Sequence, residues 1–406
     1  MEYKISDKLA GLKPSAIREI FKSLTDPTII AFAAGNPAAE SFPVDELAHL
    51  SAEIFEQSSA SALQYGTTEG YMPLRREVEA RLKNKFGIGK SVAEGDKFND
   101  MTIIVSGGNQ GLELACKVLC NEGDVVIAED PSFIGALNAF RSNGAVTLGV
   151  PLLEDGIDTD ALEKMLKEQP RAKILYLIPT FQNPAGTTMS LEKRKKVYEL
   201  ALKYGVIILE DNPYGELRFA GEDIPTIKSM DTEGIVVYCS SFSKILSAGM
   251  RIGYLNAPEK LMQKIVVAKQ VEDVHTNLFF QMICYKYMTE CDLDAHINDV
   301  RAIYRRKCGI MLDALDRELP KELKFTRPEG GLFVWCTLPA EIEMNEYVRR
   351  CLARKVALVP GSAFCPVENA PCNSVRMSYS TATDEQIVEG CRIIGEVARE
   401  MLAEKK

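Results

Sequence analysis

The chain has 406 residues, 46% of them apolar, and its 57 acidic and 48 basic side chains give a formal net charge of −9. That length can bury a large core in two or three domains, while the acidic balance excludes a nucleic-acid binder built on clustered cations. Three scattered histidines argue against a histidine-based metal centre, no apolar run approaches the about 18–20 residues of a membrane span, and the first residues carry no apolar signal core.

The segment 1–45 is rich in Pro, Gly and Ala around 33-AAGNPAAESFP-43, and is expected to form a lid or strap packing on a smaller domain or over a site. Residues 46–285 read as one large domain. Within it, from 101 to 255, seven short apolar runs (MTIIVS, DVVIAED, AVTLGVP, AKILYLIP, VIILED, IVVYCSS and RIGYLNAP) have strand length and β-branched content. Segments of helical spacing lie between them, such as 110–120 and 191–205, the latter stopped by Gly205. Strands alternating with helices predict an α/β fold with a mostly parallel, mixed seven-stranded sheet between helices. Residues 286–406 begin with a long charged helix over 292–318 and continue with strands at 332–339, 356–361 and 374–380. They read as a smaller α+β domain. Eleven cysteines, an odd number without a CxxC pair, fit reduced thiols in the cytoplasm better than a disulfide framework.

In such sheets ligands bind beyond the carboxyl ends of the strands. The notable polar residues fall just there: Gly107–Gln110, Asp130–Phe133, Asn183, Asp211–Tyr214 and Ser240–Lys244. The stretch 106-SGGNQGLEL-114 runs from strand through glycines into helix, either a plain connector or an anion site made by free amides and the helix dipole. Asp211, ending an apolar strand, is either a turn cap or a buried carboxylate that needs a cation. Asn183, before Pro184, suits an ordinary turn. In 240-SSFSKILSAGMRIGY-254, Lys244 has no charged neighbour before Arg251. A lysine desolvated near other cations loses its proton readily and becomes a nucleophile toward aldehydes. Ser241, Ser243 and Arg251 have the chemistry to hold a phosphate.

Taken together and in order, 31-AFAAGNPAAESFP-43, 63-LQYGTTEGYMPLR-75, 106-SGGNQGLEL-114, 129-EDPSFIGALNAF-140, 179-PTFQNPAG-186, 210-EDNPYGELRF-219, 240-SSFSKILSAGMRIGY-254 and 374-SVRMSYS-380 resemble the fold-type-I, pyridoxal-phosphate-dependent aminotransferases of class I/II. The likeness is greatest to the branch of α-aminoadipate, kynurenine and aromatic aminotransferases. It implies an aspartate aminotransferase-like fold, pyridoxal phosphate as cofactor, and amino transfer from an L-amino acid to a 2-oxo acid such as 2-oxoglutarate by a ping-pong route. It implies that Lys244 joins the cofactor as a Schiff base and shuttles the proton. Asp211 pairs with the ring N–H, Tyr214 and Asn183 bond the ring oxygen, and Phe133 stacks on the ring. Gly108, Asn109, Gln110, Ser241, Ser243 and Arg251 cradle the phosphate, with Tyr65 reaching it from the other subunit of a homodimer. Arg376 grips the substrate carboxylate, with Asn183 and Gly35 beside it. Arg18 either reads the substrate's distal group or is an exposed helix arginine. Relatives often carry Tyr or Trp at Phe133, and Gly-Ser-Gln where this chain has Gly-Asn-Gln. A C–S β-lyase shares the same scaffold. The effector domain of a transcription regulator is disfavoured by the acidic charge and by the few residues before Ala31.

Overall fold

The structure, a computed structural model, describes residues 3–10 and 26–405. Its centre is an eight-stranded sheet of β1 (Asp100–Val105), β2 (Val125–Asp130), β3 (Val146–Leu153), β4 (Gly156–Ile157), β5 (Ala172–Leu177), β6 (Ile207–Asp211), β7 (Val236–Ser241) and β8 (Gly253–Pro258). The order is β1-β8-β7-β6-β5-β2-β3-β4. The pairs β7–β6, β6–β5, β5–β2 and β2–β3 are parallel, while β8 runs antiparallel to both β1 and β7. The seven expected strands are all present. The eighth is the two-residue β4, which turns back on the end of β3 and is too short to leave an alternating pattern in the sequence.

Both faces of this sheet are covered, which is why its strands are apolar runs rather than alternating ones. Ile103, Val126, Ala128, Tyr176, Leu209 and Val237 face the helices Gly108–Leu119, Ile134–Ser142 and Glu259–Glu272. Ile127, Leu175, Leu177 and Ile208 face the helices Thr159–Glu168 and Leu191–Tyr204. Local signals set the helix ends. The Asp158 side chain accepts from the amides of Asp160 and Ala161, Ser190 accepts from Lys193, and Gly205 closes its helix at φ 67°. A capping box of Thr383 and Gln386 starts the last helix, Asp384–Ala403.

A second, antiparallel sheet has the order β11-β12-β10-β9, from β9 (Lys324–Phe325), β10 (Phe333–Thr337), β11 (Val359–Pro360) and β12 (Ser374–Ser378). The segment after residue 26 runs along it. Ile30 pairs in parallel with Val356, and the Ser378 amide donates to the Phe32 carbonyl. That pairing takes up the start of 356–361, so only two residues there join the sheet. Among the described residues no helix is long and apolar enough to cross a membrane.

Candidate active site

A cavity of about 270 Å³ opens at the carboxyl ends of β5, β6 and β7, roofed by Gly35, Phe333 and Arg376 from the second sheet and its strap. Its wall brings together Gly35, Gly108, Asn109, Phe133, Asn183, Asp211, Tyr214, Ser241, Ser243, Lys244, Arg251 and Arg376. A larger cleft of about 720 Å³ lies between residues 152–155, 185–188 and 324–329. Its charged groups Glu154, Asp155, Lys324, Arg327 and Glu329 are all exposed to solvent.

Lys244 lies in the turn after β7, and its Nζ donates to the Gly35 carbonyl at 2.7 Å. Burial, then the nearby guanidinium groups of Arg376 and Arg251, push its amine down from 10.5 to about 8. A charged ammonium without a counter-ion is penalised there, and the neutral nucleophile is favoured.

Asp211 ends β6 across the cavity. Burial pushes its carboxyl up to about 7, and the Tyr176 hydroxyl, donating to Oδ2 at 2.8 Å, opposes the shift. A buried carboxylate with a single donor is under-satisfied and fits a cationic N–H brought by a ligand.

One end of the cavity is built for an anion. Helix Gly108–Leu119 opens into it without a side-chain cap; the Gln110 amide donates to the Gly107 carbonyl at 3.2 Å, and the first helical amides before it point toward the cavity end. The Ser241 and Ser243 hydroxyls sit 2.7 Å apart, and Arg251 Nη1 donates to Ser243 Oγ at 3.4 Å. The turn admits no side chain at Gly107: φ is +80°, and a Cβ there would lie 2.0 Å from Arg251 Nη2. A Cβ at Gly253 would come within 2.8 Å of the Gly107–Gly108 peptide, so β8 must present glycine for the turn to approach. Phe133 folds back over Gly135, beside Asn109.

The other end fits a carboxylate. Arg376, on β12, is 3% exposed. Its guanidinium is sandwiched between the rings of Phe333 at 4.3 Å and Phe364 at 4.9 Å. Nη1 donates to Asn183 Oδ1 at 3.1 Å and Nη2 to the Ala33 carbonyl at 2.8 Å, while the buried Nε has no partner among the described residues. Burial lowers its pKa to about 10. Asn183 Nδ2 donates to the Tyr214 hydroxyl at 3.3 Å, which links the arginine to the tyrosine through one amide.

Two expected residues are not on this wall, and a third falls outside the described residues. Gln110 turns its side chain away from the cavity: Oε1 accepts from the Ser106 amide at 2.7 Å and Nε2 donates to Asp273 at 2.7 Å. Tyr65 is 80% exposed, its ring edge-on to His275. Arg18 lies outside the described residues. The sequence reading missed Tyr176, Phe333 and Phe364. Tyr176 left a signal, as the one hydroxyl in an otherwise apolar strand end. The two phenylalanines left none, because their contact with Arg376 is made across the second sheet.

The profile of the family "Aminotransferase class I and II" matches residues 27–394. The aromatic-amino-acid aminotransferase 1 of Thermococcus litoralis is 40% identical over 98% of this chain and 95% of its own length. The 2-aminoadipate transaminase of Thermus thermophilus is 40% identical over 97% and 96%. Among solved structures, the α-aminoadipate aminotransferase of T. thermophilus, complexed with N-(5'-phosphopyridoxyl)-L-leucine, superposes with a TM-score of 0.89 at 39% identity, covering 98% of each chain. An anion cradle, an under-satisfied carboxylate and a deprotonation-prone lysine around one cavity agree with that relationship: the chain belongs to the class I and II aminotransferases, enzymes that use pyridoxal phosphate.

Proposed function

We propose that the chain moves the amino group of an L-amino acid to a 2-oxo acid, with 2-oxoglutarate as acceptor, by a ping-pong route through Lys244. The observation that carries this is the placement of Lys244, Asp211 and Arg376 on the wall of one cavity. Among the described residues Arg376 is the one guanidinium on that wall outside the anion cradle, so donor and acceptor carboxylates would bind it in turn.

When bound, pyridoxal phosphate supplies an aldehyde that condenses with amines and a ring that takes up the electron pair left at the substrate Cα. Gly108, Asn109, Ser241, Ser243 and Arg251 would hold its phosphate, Phe133 would lie on its ring face, Asp211 would face its ring nitrogen, and Lys244 would hold its aldehyde end covalently. Tyr214 and Asn183 would bond its ring oxygen. The remaining steps belong to the protein. Arg376, flattened between two rings, orients the substrate carboxylate with Asn183. Once free, Lys244 Nζ accepts the Cα proton as a neutral amine and returns it as an ammonium. Asp211 stays ionised while a cation faces it.

We further propose a homodimer in which Tyr65 completes the partner's phosphate site. Support comes from the exposure of Leu63 (74%), Tyr65 (80%) and Val271 (85%), large apolar side chains of the kind a second subunit would cover. The unpaired state of all eleven cysteines supports a reducing compartment such as the cytoplasm.

The test is the isolated half-reaction. Enzyme loaded with cofactor and given one amino acid, without oxo acid, should convert one equivalent and stop with the cofactor in its amine form. Addition of 2-oxoglutarate should restore the starting spectrum. Continuous release of ammonia and pyruvate from cystathionine would instead assign a C–S lyase. A panel of 2-aminoadipate, kynurenine, tyrosine and leucine in the same assay ranks the donors.

A further inference from the structure

The loop that presents Asn183 is gripped from beneath by two buried ionisable side chains that never reach the cavity. The loop closes on itself: the Met189 amide donates to the Pro179 carbonyl at 2.8 Å, the Gln182 amide to the Thr187 carbonyl at 2.8 Å, and the Ala185 amide to Gln182 Oε1 at 2.9 Å. Asn183 stands at its tip, with its amide shared between Tyr214 and Arg376.

Arg194 projects from helix Leu191–Tyr204 and is 0% exposed. Its guanidinium donates to the carbonyls of Met189 at 3.0 Å, Pro179 at 2.8 Å and Pro225 at 3.1 Å, and to Thr180 Oγ1 at 2.9 Å. It therefore ties both ends of the loop to one rigid planar group. Glu129, near the end of β2, is 1% exposed. Its Oε2 accepts from the Ile178 amide at 3.1 Å, where the loop leaves β5, and from Gln182 Nε2 at 3.2 Å, one residue before Asn183. Gln182 Nε2 also donates to the Pro131 carbonyl at 2.8 Å. Burying an ionisable group costs folding stability unless it is satisfied. Both groups spend their hydrogen bonds chiefly on the backbone and side chains of this one loop rather than on each other.

We propose that Glu129 and Arg194 are positioning residues for Asn183: they fix the loop so that the asparagine amide meets Arg376 with its oxygen and Tyr214 with its nitrogen. The inference rests on the transaminase reading, in which Arg376 and Asn183 hold the substrate carboxylate. Glu129 acts through the Gln182 side chain and Arg194 through the loop backbone. A loop released from either lets the amide turn, and the Arg376 guanidinium loses its one side-chain acceptor among the described residues.

The experiment is a mutant cycle on Glu129 and Asn183 in the holoenzyme. Glu129→Leu should raise KM for the amino acid and for the oxo acid by about tenfold each, as expected for losing two buried hydrogen bonds, with cofactor affinity changed less than twofold. Binding of the unreactive 3-phenylpropanoate, followed by calorimetry, should weaken by the same factor. Glu129→Gln keeps an acceptor oxygen for both donors and should behave as wild type. In an Asn183→Ala background Glu129→Leu should change carboxylate binding less than twofold. Equal losses in both backgrounds would mean a general structural role and would overturn the proposal, as would wild-type carboxylate binding in Glu129→Leu. If that variant does not fold, Gln182→Ala cuts the same link and carries the same expectations. Failure of wild-type enzyme to complete the half-reaction would sink the transaminase reading itself, an outcome the calorimetric cycle reads separately.

Discussion

Replacing Arg376 by glutamine should make Lys244 a poorer nucleophile, although the two side chains do different jobs. In the cofactor-free protein Lys244 Nζ is buried, bonded among the described residues only to the Gly35 carbonyl, with its pKa lowered from 10.5 to about 8. At pH 7 about one lysine in ten is then neutral, against about one in three thousand for an exposed lysine. The site therefore gains about 300-fold in free amine before any chemistry begins. Burial is the largest cause, followed by Arg376 and then Arg251. Glutamine removes the like charge but leaves the burial, so the neutral fraction at pH 7 should fall about threefold to tenfold rather than by the full factor. The assay is the rate at which apoenzyme is captured by pyridoxal, trapped with borohydride and counted by mass, as a function of pH. Pyridoxal lacks the phosphate, so the anion cradle does not bias the comparison. The wild-type rate should reach half its maximum near pH 8, and that of Arg376→Gln at higher pH. A wild-type midpoint at 10 or above, or a variant midpoint that stays put or falls, would refute the reasoning.

Further consequences can be checked with the same protein. Because the folded-state value of Lys244 lies below its unfolded one, its full cost is present below pH 8 and disappears as pH rises toward 10.5. Lys244→Met apoenzyme should therefore resist denaturant better than wild-type apoenzyme at pH 7, by at most about 3 kcal/mol, with the gap narrowing by pH 10. Arg376→Lys keeps the charge but loses the planar fork and its stacking, so KM should rise about 30- to 100-fold with cofactor affinity unchanged, as steady-state kinetics and cofactor titration would show. Gly107→Ala meets Arg251 at 2.0 Å in a left-handed turn; cofactor affinity, read by fluorescence titration, should fall at least about tenfold.

The large sheet was legible because its strands are covered on both faces and so stand out as apolar runs between amphipathic helices. Strand β4 escaped because two residues make no pattern. The site was legible where chemistry and position in the chain coincide: Asp211 and Lys244 each follow an apolar strand at the edge where ligands bind. Side-chain direction was not legible. Gln110 follows the glycine-rich turn, yet the Ser106 amide and Asp273 draw it to the far side, an outcome decided in part by the residue that closes a helix 163 positions on. The aromatic sandwich on Arg376 was hidden for the same reason. Phe333 comes from the neighbouring strand and Phe364 from a short 3₁₀ turn, so their convergence is a property of the second sheet and not of any local spacing.

The charges on the cavity wall match, with opposite sign, those that cofactor and substrate bring. Among the described residues Lys244, Arg251 and Arg376 face it against Asp211 alone, an excess of two positive charges if the lysine is protonated. A phosphomonoester brings about −1.5 to −2 and a substrate carboxylate −1, which offsets the three cations. The carboxylate of Asp211 is left to a cationic ring nitrogen, which would draw its pKa back down from about 7. Each buried charge that is costly in the free protein thus acquires a counter-charge on binding, so the site's destabilisation is returned as affinity. The depressed amine of Lys244 and the bare Nε of Arg376 have one cause: a pocket desolvated for ligands whose charges are opposite to its own.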